Sequence, residues 1–213
     1  LSACDGLGVV GNSAAGKSTL ARLLVGAWMA DAGEVRLDGA TLDQWTPEAL
    51  GRHIGYLPQS LHMLSGSVGE NIARFDPEAK DPDIIEAARI AGVHEMILGL
   101  PDGYATHMDR MTHPLSGGQL QRLGLARAVF GAPRLIVLDE PNSNLDANGD
   151  DALAEAIRTM RAKGCVVVVM AHRPSALASV NKILLLHQGR MAKFGDKDEV
   201  LHGTPRPVSV VAQ

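Results

Sequence analysis

Residues 11–19, Gly11-Asn12-Ser13-Ala14-Ala15-Gly16-Lys17-Ser18-Thr19, fit the spacing G-x-x-x-x-G-K-[ST]. In that pattern successive backbone N–H groups wrap phosphates, Lys17 reaches the β/γ oxygens and Ser18 offers its hydroxyl to Mg²⁺. Alone, the motif says only that a nucleotide binds. A second phosphate-binding element, Leu115-Ser116-Gly117-Gly118-Gln119, lies a hundred residues further on. It supplies a hydroxyl and glycine N–H groups at the start of a helix expected over Gln119 to Phe130, where the helix dipole favours an anion. One γ-phosphate does not need two cradles from one subunit. The economical reading is that Ser116, Gly117, Gly118 and Gln119 serve the nucleotide of a neighbouring copy.

With further segments the chain resembles the ATP-binding cassette (ABC) family over almost all its length. Walker A is 11–19, Gln59 ends the Q-loop segment Tyr56-Leu57-Pro58-Gln59, and the signature is 115–119. Walker B is Leu135-Ile136-Val137-Leu138-Asp139-Glu140, the D-loop is Ser143-Asn144-Leu145-Asp146, and His172 follows the apolar run Val166 to Ala171. Within the family, residues 139–146 and Ala171-His172-Arg173-Pro174 are most similar to the ATPases of type I protein secretion systems, which export proteases, lipases and repeat-containing toxins.

The resemblance implies a division of labour. ATP hydrolysis needs neutralised β/γ oxygens, a water placed in line and prearranged donors for the developing charge. Lys17, the loop N–H groups and Mg²⁺ meet the first need. Asp139 is expected to order Mg²⁺ through water, with Ser18 and Gln59 as direct ligands. Glu140, the second carboxylate, is left to polarise the attacking water as general base. By the same resemblance His172 contacts the γ-phosphate, Gln59 links metal and water to a transmembrane partner, and Asp146 communicates across the dimer.

Two departures from the family pattern stand out. Exporters of this kind usually carry an acidic residue just before the signature, touching the membrane domain. Here that stretch is Thr106-His107-Met108-Asp109-Arg110-Met111-Thr112-His113-Pro114, with Arg110 at roughly the acidic place and Asp109 as the candidate substitute. The other departure is that only ten residues precede Gly11, so the family's first strands and its adenine-stacking aromatic residue are expected upstream, on a longer polypeptide beginning with a membrane domain. Neither Trp28 nor Trp45 lies on that side of Walker A.

The elements that must hold these residues are short apolar runs alternating with helical patterns, which predicts a mainly parallel sheet covered by helices. Leu7 to Val10 reads as the strand delivering the phosphate loop, and Lys17 to Trp28 as the helix receiving it. Leu135 to Leu138 and Val166 to Met170 read as central strands, since continuous Val/Ile/Leu runs suit strands covered on both faces. Ligands in such sheets bind beyond the strands' carboxyl ends, where Asp139, Glu140 and His172 all fall. Helical periodicity over Pro82 to Ala91 and His94 to Leu98, separated by Gly92, suggests a helical subdomain of about 75–130 inserted into a core of about 1–74 and 131–203. Lys182 to Leu186 and Arg190 to Phe194 flank Gln188-Gly189, a hairpin signal. The tail, 204–213, is expected to fray.

Composition narrows the classes. The 213 residues are 46% hydrophobic, enough for one sizeable core, with a net charge of −4 and a pI near 6.1. That balance argues against a broad nucleic-acid footprint. No apolar run reaches the roughly 18 residues that cross a membrane, and no secretion signal opens the sequence. Any membrane role is therefore expected through a partner or an upstream segment. Cys4 and Cys165 are too few and too scattered for a disulfide framework or a zinc site.

The sequence thus points to an α/β P-loop NTPase, specifically an ABC ATPase fold, binding ATP and Mg²⁺. Its expected partners are a second such domain in a head-to-tail homodimer and a transmembrane domain, at the cytoplasmic face of a bacterial inner membrane, with no nucleic acid. The alternatives are a non-transport ABC ATPase acting on nucleic acid, an exporter of lipids or small molecules, and a nucleotide-dependent switch that hydrolyses poorly. The first is disfavoured by the acidic balance and by the absence of a long coiled-coil insertion between the two Walker motifs. The last is disfavoured by intact Glu140 and His172.

Overall fold

A computed structural model describes residues 1–111, 114–171 and 174–202. The phosphate loop lies between β1 (Gly6–Val10) and α1 (Lys17–Leu24). A two-stranded ribbon, β2 (Arg36–Leu37) with β3 (Ala40–Thr41), precedes α2 (Pro47–His53) and β4 (Ile54–Leu57). Helices α3 (Val68–Ile72), α4 (Asp81–Ile90), α5 (His94–Leu98) and α6 (Gly117–Val129) follow. The chain then runs through β5 (Leu135–Asp139), α7 (Ala147–Ala162), β6 (Val166–Met170), β7 (Lys182–His187), β8 (Arg190–Asp196) and α8 (Lys197–His202).

Six strands form one sheet in the order β4-β5-β6-β1-β7-β8. Every neighbouring pair is parallel except β7 with β8. That last pair is the hairpin expected at Gln188-Gly189, where both residues have positive φ, 49° and 74°, as a tight turn matched to the strand twist requires. The two faces of the sheet explain the unbroken apolar runs. Ile136, Leu138, Val167 and Val169 point into a core shared with α3, α4, α6 and α7, while Val137, Val168 and Met170 pack against Ala21 and its neighbours on α1. With both faces covered, alternation between polar and apolar residues disappears. Truncating a fully buried side chain here, such as Leu138→Ala, carries the usual core cost of about 2–5 kcal/mol.

Two helix boundaries differ from the sequence expectation. α1 stops at Leu24 instead of continuing to Trp28, because Gly26 takes a left-handed φ of 72° and the N–H groups of Ala27 and Trp28 both turn back onto the Arg22 carbonyl. This is a glycine-terminated helix end. α6 begins at Gly117, not Gln119. Ser116 caps it by accepting from the Gln119 N–H while the Gln119 side chain accepts from the Ser116 N–H, a reciprocal capping box.

α6 is buried on most of its surface and lies hard against β4. A Cβ on Gly55 would fall 1.9 Å from the Ala128 carbonyl oxygen, so only glycine permits this approach. Arg74 locks the same junction. Its guanidinium donates to the carbonyls of Gly51, Ile54, Arg127, Ala128 and Phe130 at 2.7–3.2 Å. It thereby satisfies orphan carbonyls at the ends of α2 and α6. Burial pushes this group down to about 10, yet it remains a cation at neutral pH.

Candidate functional site

β1 ends at Val10 and the chain wraps through residues 11–16 before entering α1. Ala14 (φ 62°) and Gly16 (φ 100°) adopt left-handed backbone within this turn. The Ala15 N–H donates to the Asn12 carbonyl at 3.1 Å and the Gly189 N–H to the Ala15 carbonyl at 3.0 Å, anchoring the loop to the β7–β8 turn. Lys17 is buried, at 6% exposure, and folds back to donate to the carbonyls of Gly11 (2.8 Å) and Asn12 (3.1 Å). Burial pushes its ammonium below the ordinary lysine value, and Glu140 and Asp139 pull the other way. The ammonium is thus a desolvated cation held by weak neutral acceptors, ready to exchange them for anionic oxygens. Asn12, Ser13 and Ala14 are exposed at the rim, and Thr19 is exposed on the first turn of α1.

The parallel sheet brings two carboxylates beside this loop. Asp139, the last residue of β5, is 2% exposed, and its Oδ1 is buried with no hydrogen-bond partner. Burial raises its pKa, with Glu140 adding to the shift; the Ser18 hydroxyl, Arg22 and Lys17 oppose it. The Arg22 guanidinium also lies 4.7 Å from the centre of the Trp28 ring. Glu140 follows with φ 53°, outside the strand's backbone region. Its N–H still donates to the Met170 carbonyl at 3.0 Å, and its carboxylate accepts from Gln59 Nε2 at 2.9 Å. A left-handed glutamate persists only where its surroundings hold it, and such strain concentrates at working sites.

Ser116, Gly117 and Gly118 face elsewhere. Together with Arg122, Asn144, Leu145 and Asp146 they line a cleft of about 350 Å³ that, among the described residues, includes none of 11–19. Asn144 lies against the signature turn: a Cβ on Gly118 would approach its carbonyl oxygen to 3.0 Å. Asp146 caps α7, its Oδ1 accepting from the Gly149 N–H at 2.8 Å. Ser116 uses one acceptor position for its cap and keeps its O–H to donate.

Residues 2–143 match the family described as ABC transporter. The chain belongs to the ABC transporter family. It is an ATP-binding domain of that family, with a P-loop NTPase fold. A type I secretion system ATP-binding protein, PrsD of Rhizobium meliloti, is 53% identical over 207 residues, covering 97% of this chain and 36% of that protein. The cyclolysin secretion/processing ATP-binding protein CyaB of Bordetella pertussis is 38% identical over 195 residues, 92% of this chain and 27% of its own length. Among solved structures, a bacterial Atm1-family ABC exporter with ATP bound superposes with a TM-score of 0.82 at 31% identity, covering 93% of this chain and 35% of that one. The chain thus spans about a third of the length of these relatives.

In family terms, Walker A, Walker B and the Q-loop converge at the carboxyl ends of β1, β5 and β4. The signature and D-loop form a separate cleft. His172 lies outside the described residues. The segment before the signature forms a single helical turn at Met108–Arg110, and Arg110 lines an open cleft of about 640 Å³ with Leu100, Pro101, His107 and Met111. Asp109 is paired with the His107 ring at 3.7 Å. Sequence reasoning passed over Arg22 and Gln121. Arg22 carried a visible signal, lying four and five residues after Ser18 and Lys17 on one helix, on the side that meets β5. Gln121 carried none, since a glutamine four residues after Gly117 reads as an ordinary helix former.

Proposed function

We propose that this ATPase domain powers protein export of the type I secretion kind, working as a head-to-tail homodimer beneath a transmembrane domain at the cytoplasmic face of the membrane. The observation that carries the reading is the division of the phosphate-binding machinery: one chain presents a P-loop in one place and a signature cleft in another. Two copies placed head to tail complete two sites, each closing one copy's loop with the other's Ser116, Gly117 and Gly118. Support for the cargo class comes from the 53% identity to a type I secretion ATP-binding protein.

The site's own residues suit Mg²⁺. A buried carboxylate oxygen without a partner sits beside a serine hydroxyl and opposite a phosphate loop, and Mg²⁺ is typically held by one or two carboxylates plus substrate phosphates. Among the described residues no cluster of three or more His, Cys, Asp or Glu could hold a metal by itself, in keeping with a metal that arrives on the nucleotide. Asp139, Ser18 and Gln59 would hold it, and it would neutralise charge on the β/γ oxygens. Lys17 exchanges the Gly11 and Asn12 carbonyls for those same oxygens. Glu140, oriented by Gln59 at 2.9 Å, accepts a proton from the water that attacks the γ-phosphorus. As the P–O bond to ADP breaks, charge on the departing bridge oxygen is met by Lys17 and the loop N–H groups. Reliance on Gln59 for both metal and base makes it the element through which a membrane partner senses the nucleotide.

No helix among the described residues is long and apolar enough to cross a membrane, so the reading assigns translocation to the partner. The test mixes a Lys17→Ala subunit with a Ser116→Arg subunit, each inactive alone. One intact composite site should form per mixed dimer and restore up to half the parental activity per dimer. Mixtures as inactive as the single variants, under conditions where the parent hydrolyses ATP, would refute the shared site.

A further inference from the structure

Gln121 is a buried amide, 3% exposed, one helical turn beyond Gly117 on α6. Residues four apart share a helix face, so Gln121 lies beneath the signature on the side that meets the D-loop. Both ends of its amide are engaged. Nε2 donates to the backbone carbonyl of Glu140 at 3.4 Å, and Oε1 accepts from Asn144 Nδ2 at 3.4 Å. Asn144 in turn abuts the signature glycines. A Cβ on Gly118 would meet the Asn144 carbonyl oxygen at 3.0 Å, tighter than an ordinary contact, and a Cβ on Gly117 would lie 3.4 Å from the Asn144 Cβ. With no side chain as padding, a shift of the signature turn displaces Asn144.

Among the described residues, three bonds hold the left-handed backbone of Glu140: its N–H to the Met170 carbonyl (3.0 Å), the Ser143 N–H to its carbonyl (3.3 Å), and the Gln121 amide to that same carbonyl. The first two belong to the strand and its turn. Only the Gln121 bond comes from the helix that Ser116 caps. At 3.4 Å both Gln121 bonds are long, and catalytic contacts of this kind commonly tighten when ligand binds.

We infer that Gln121 is a positioning residue that couples a chain's own signature to its own general base. When the signature closes on the neighbour's nucleotide, Asn144 moves, the Asn144–Gln121–Glu140 chain shortens, and the Glu140 carboxylate is set for proton abstraction at the chain's own nucleotide. The two composite sites of the dimer are thereby linked within each subunit through α6, which makes hydrolysis cooperative. The inference rests on the head-to-tail reading above.

A double-mutant cycle on the full chain tests it, using Gln121→Leu, Gln121→Glu, Asn144→Ala and the Gln121→Leu/Asn144→Ala pair. Gln121→Glu keeps the acceptor for Asn144 but cannot donate to the Glu140 carbonyl. Each single change should lower kcat about 3- to 30-fold, the scale of one positioning hydrogen bond, with the ATP dissociation constant within two-fold of the parent. The double variant should be no slower than the worse single one, and the Hill coefficient for ATP should fall to one. Unchanged kcat and Hill coefficient, or losses that multiply in the pair, would overturn the coupling. So would losses that track the melting temperature alone. Should Gln121→Leu fail to fold, exposed Asn144→Ala and Gln121→Glu carry the comparison. Mixing Lys17→Ala with Ser116→Arg separates the premises: the intact site there uses the Glu140 of the chain whose own signature is blocked, so activity should return, but about 3- to 30-fold below half the parental value; return to half the parental value overturns the Gln121 link alone, and no return at all overturns the shared site and this inference together.

Discussion

Glu140→Gln changes one atom and one charge, and the structure shows what each does. The carboxylate accepts a hydrogen bond from Gln59 Nε2 at 2.9 Å. The substituted amide can still accept that bond through its carbonyl oxygen, so the loop geometry survives. Lost is the proposed proton acceptor, and with it one of the two negative groups that steady the Lys17 ammonium. A general base contributes about 10²–10⁴ to rate, which at 1.36 kcal/mol per tenfold is about 2.7–5.4 kcal/mol of the barrier. Binding moves the other way, because removing a charge beside the γ-phosphate relieves repulsion. Glu140→Gln should therefore bind ATP at least as tightly as the parent and accumulate as a closed dimer. Single-turnover hydrolysis with equilibrium binding on the same preparation, plus light scattering with and without ATP, measures all three. Turnover within a few-fold of the parent, from protein that demonstrably binds ATP, would remove Glu140 from the role of base.

Two further outcomes follow from the buried charges Asp139 and Arg74. Burial holds the folded pKa of Asp139 above its ordinary value, so the folded chain binds more protons than the unfolded one between the ordinary and the raised pKa. Stability of the nucleotide-free chain should fall as pH rises through that window, while the Mg²⁺-dependent part of ATP affinity, which needs the carboxylate ionised, should rise through it; calorimetric titrations with and without Mg²⁺ check this, and Asp139→Asn retaining the same pH dependence would refute the assignment. Arg74→Met keeps the buried stem but strips donors from five carbonyls, and unsatisfied buried groups cost about 1–3 kcal/mol each, with partial rehydration limiting the sum to about 2–4 kcal/mol. For a chain of this size that is roughly 5–15 °C in melting temperature, and a shift under about 2 °C would show that α6 and β4 are held otherwise.

The local chemistry of this protein was legible in its residues. A phosphate loop is a run of consecutive backbone groups, so Gly11 to Thr19 announce it by spacing alone. The Ser116 and Gln119 capping box is likewise an interaction across three residues. The central strands could be read because a strand buried on both faces must be apolar throughout, as Val166 to Met170 are. Helix ends were less legible: the stop at Leu24 depends on Gly26 taking a left-handed φ, which glycine permits but does not compel.

Tertiary structure alone decided the contacts that join these segments. Gln59 meets Glu140 across 81 residues, because parallel pairing of β4 with β5 brings their carboxyl ends to one edge. No spacing rule encodes that register. Asp139 acquires its raised pKa from burial under α1, and Lys17 its lowered one from the loop folding over it. Neither shift belongs to the residue type. Gln121 and Arg74 look like ordinary helix and loop residues until packing removes water from around them. At that point each polar atom must find a partner, and the partners that α6 and the sheet present are the Glu140 carbonyl in one case and the ends of two helices in the other.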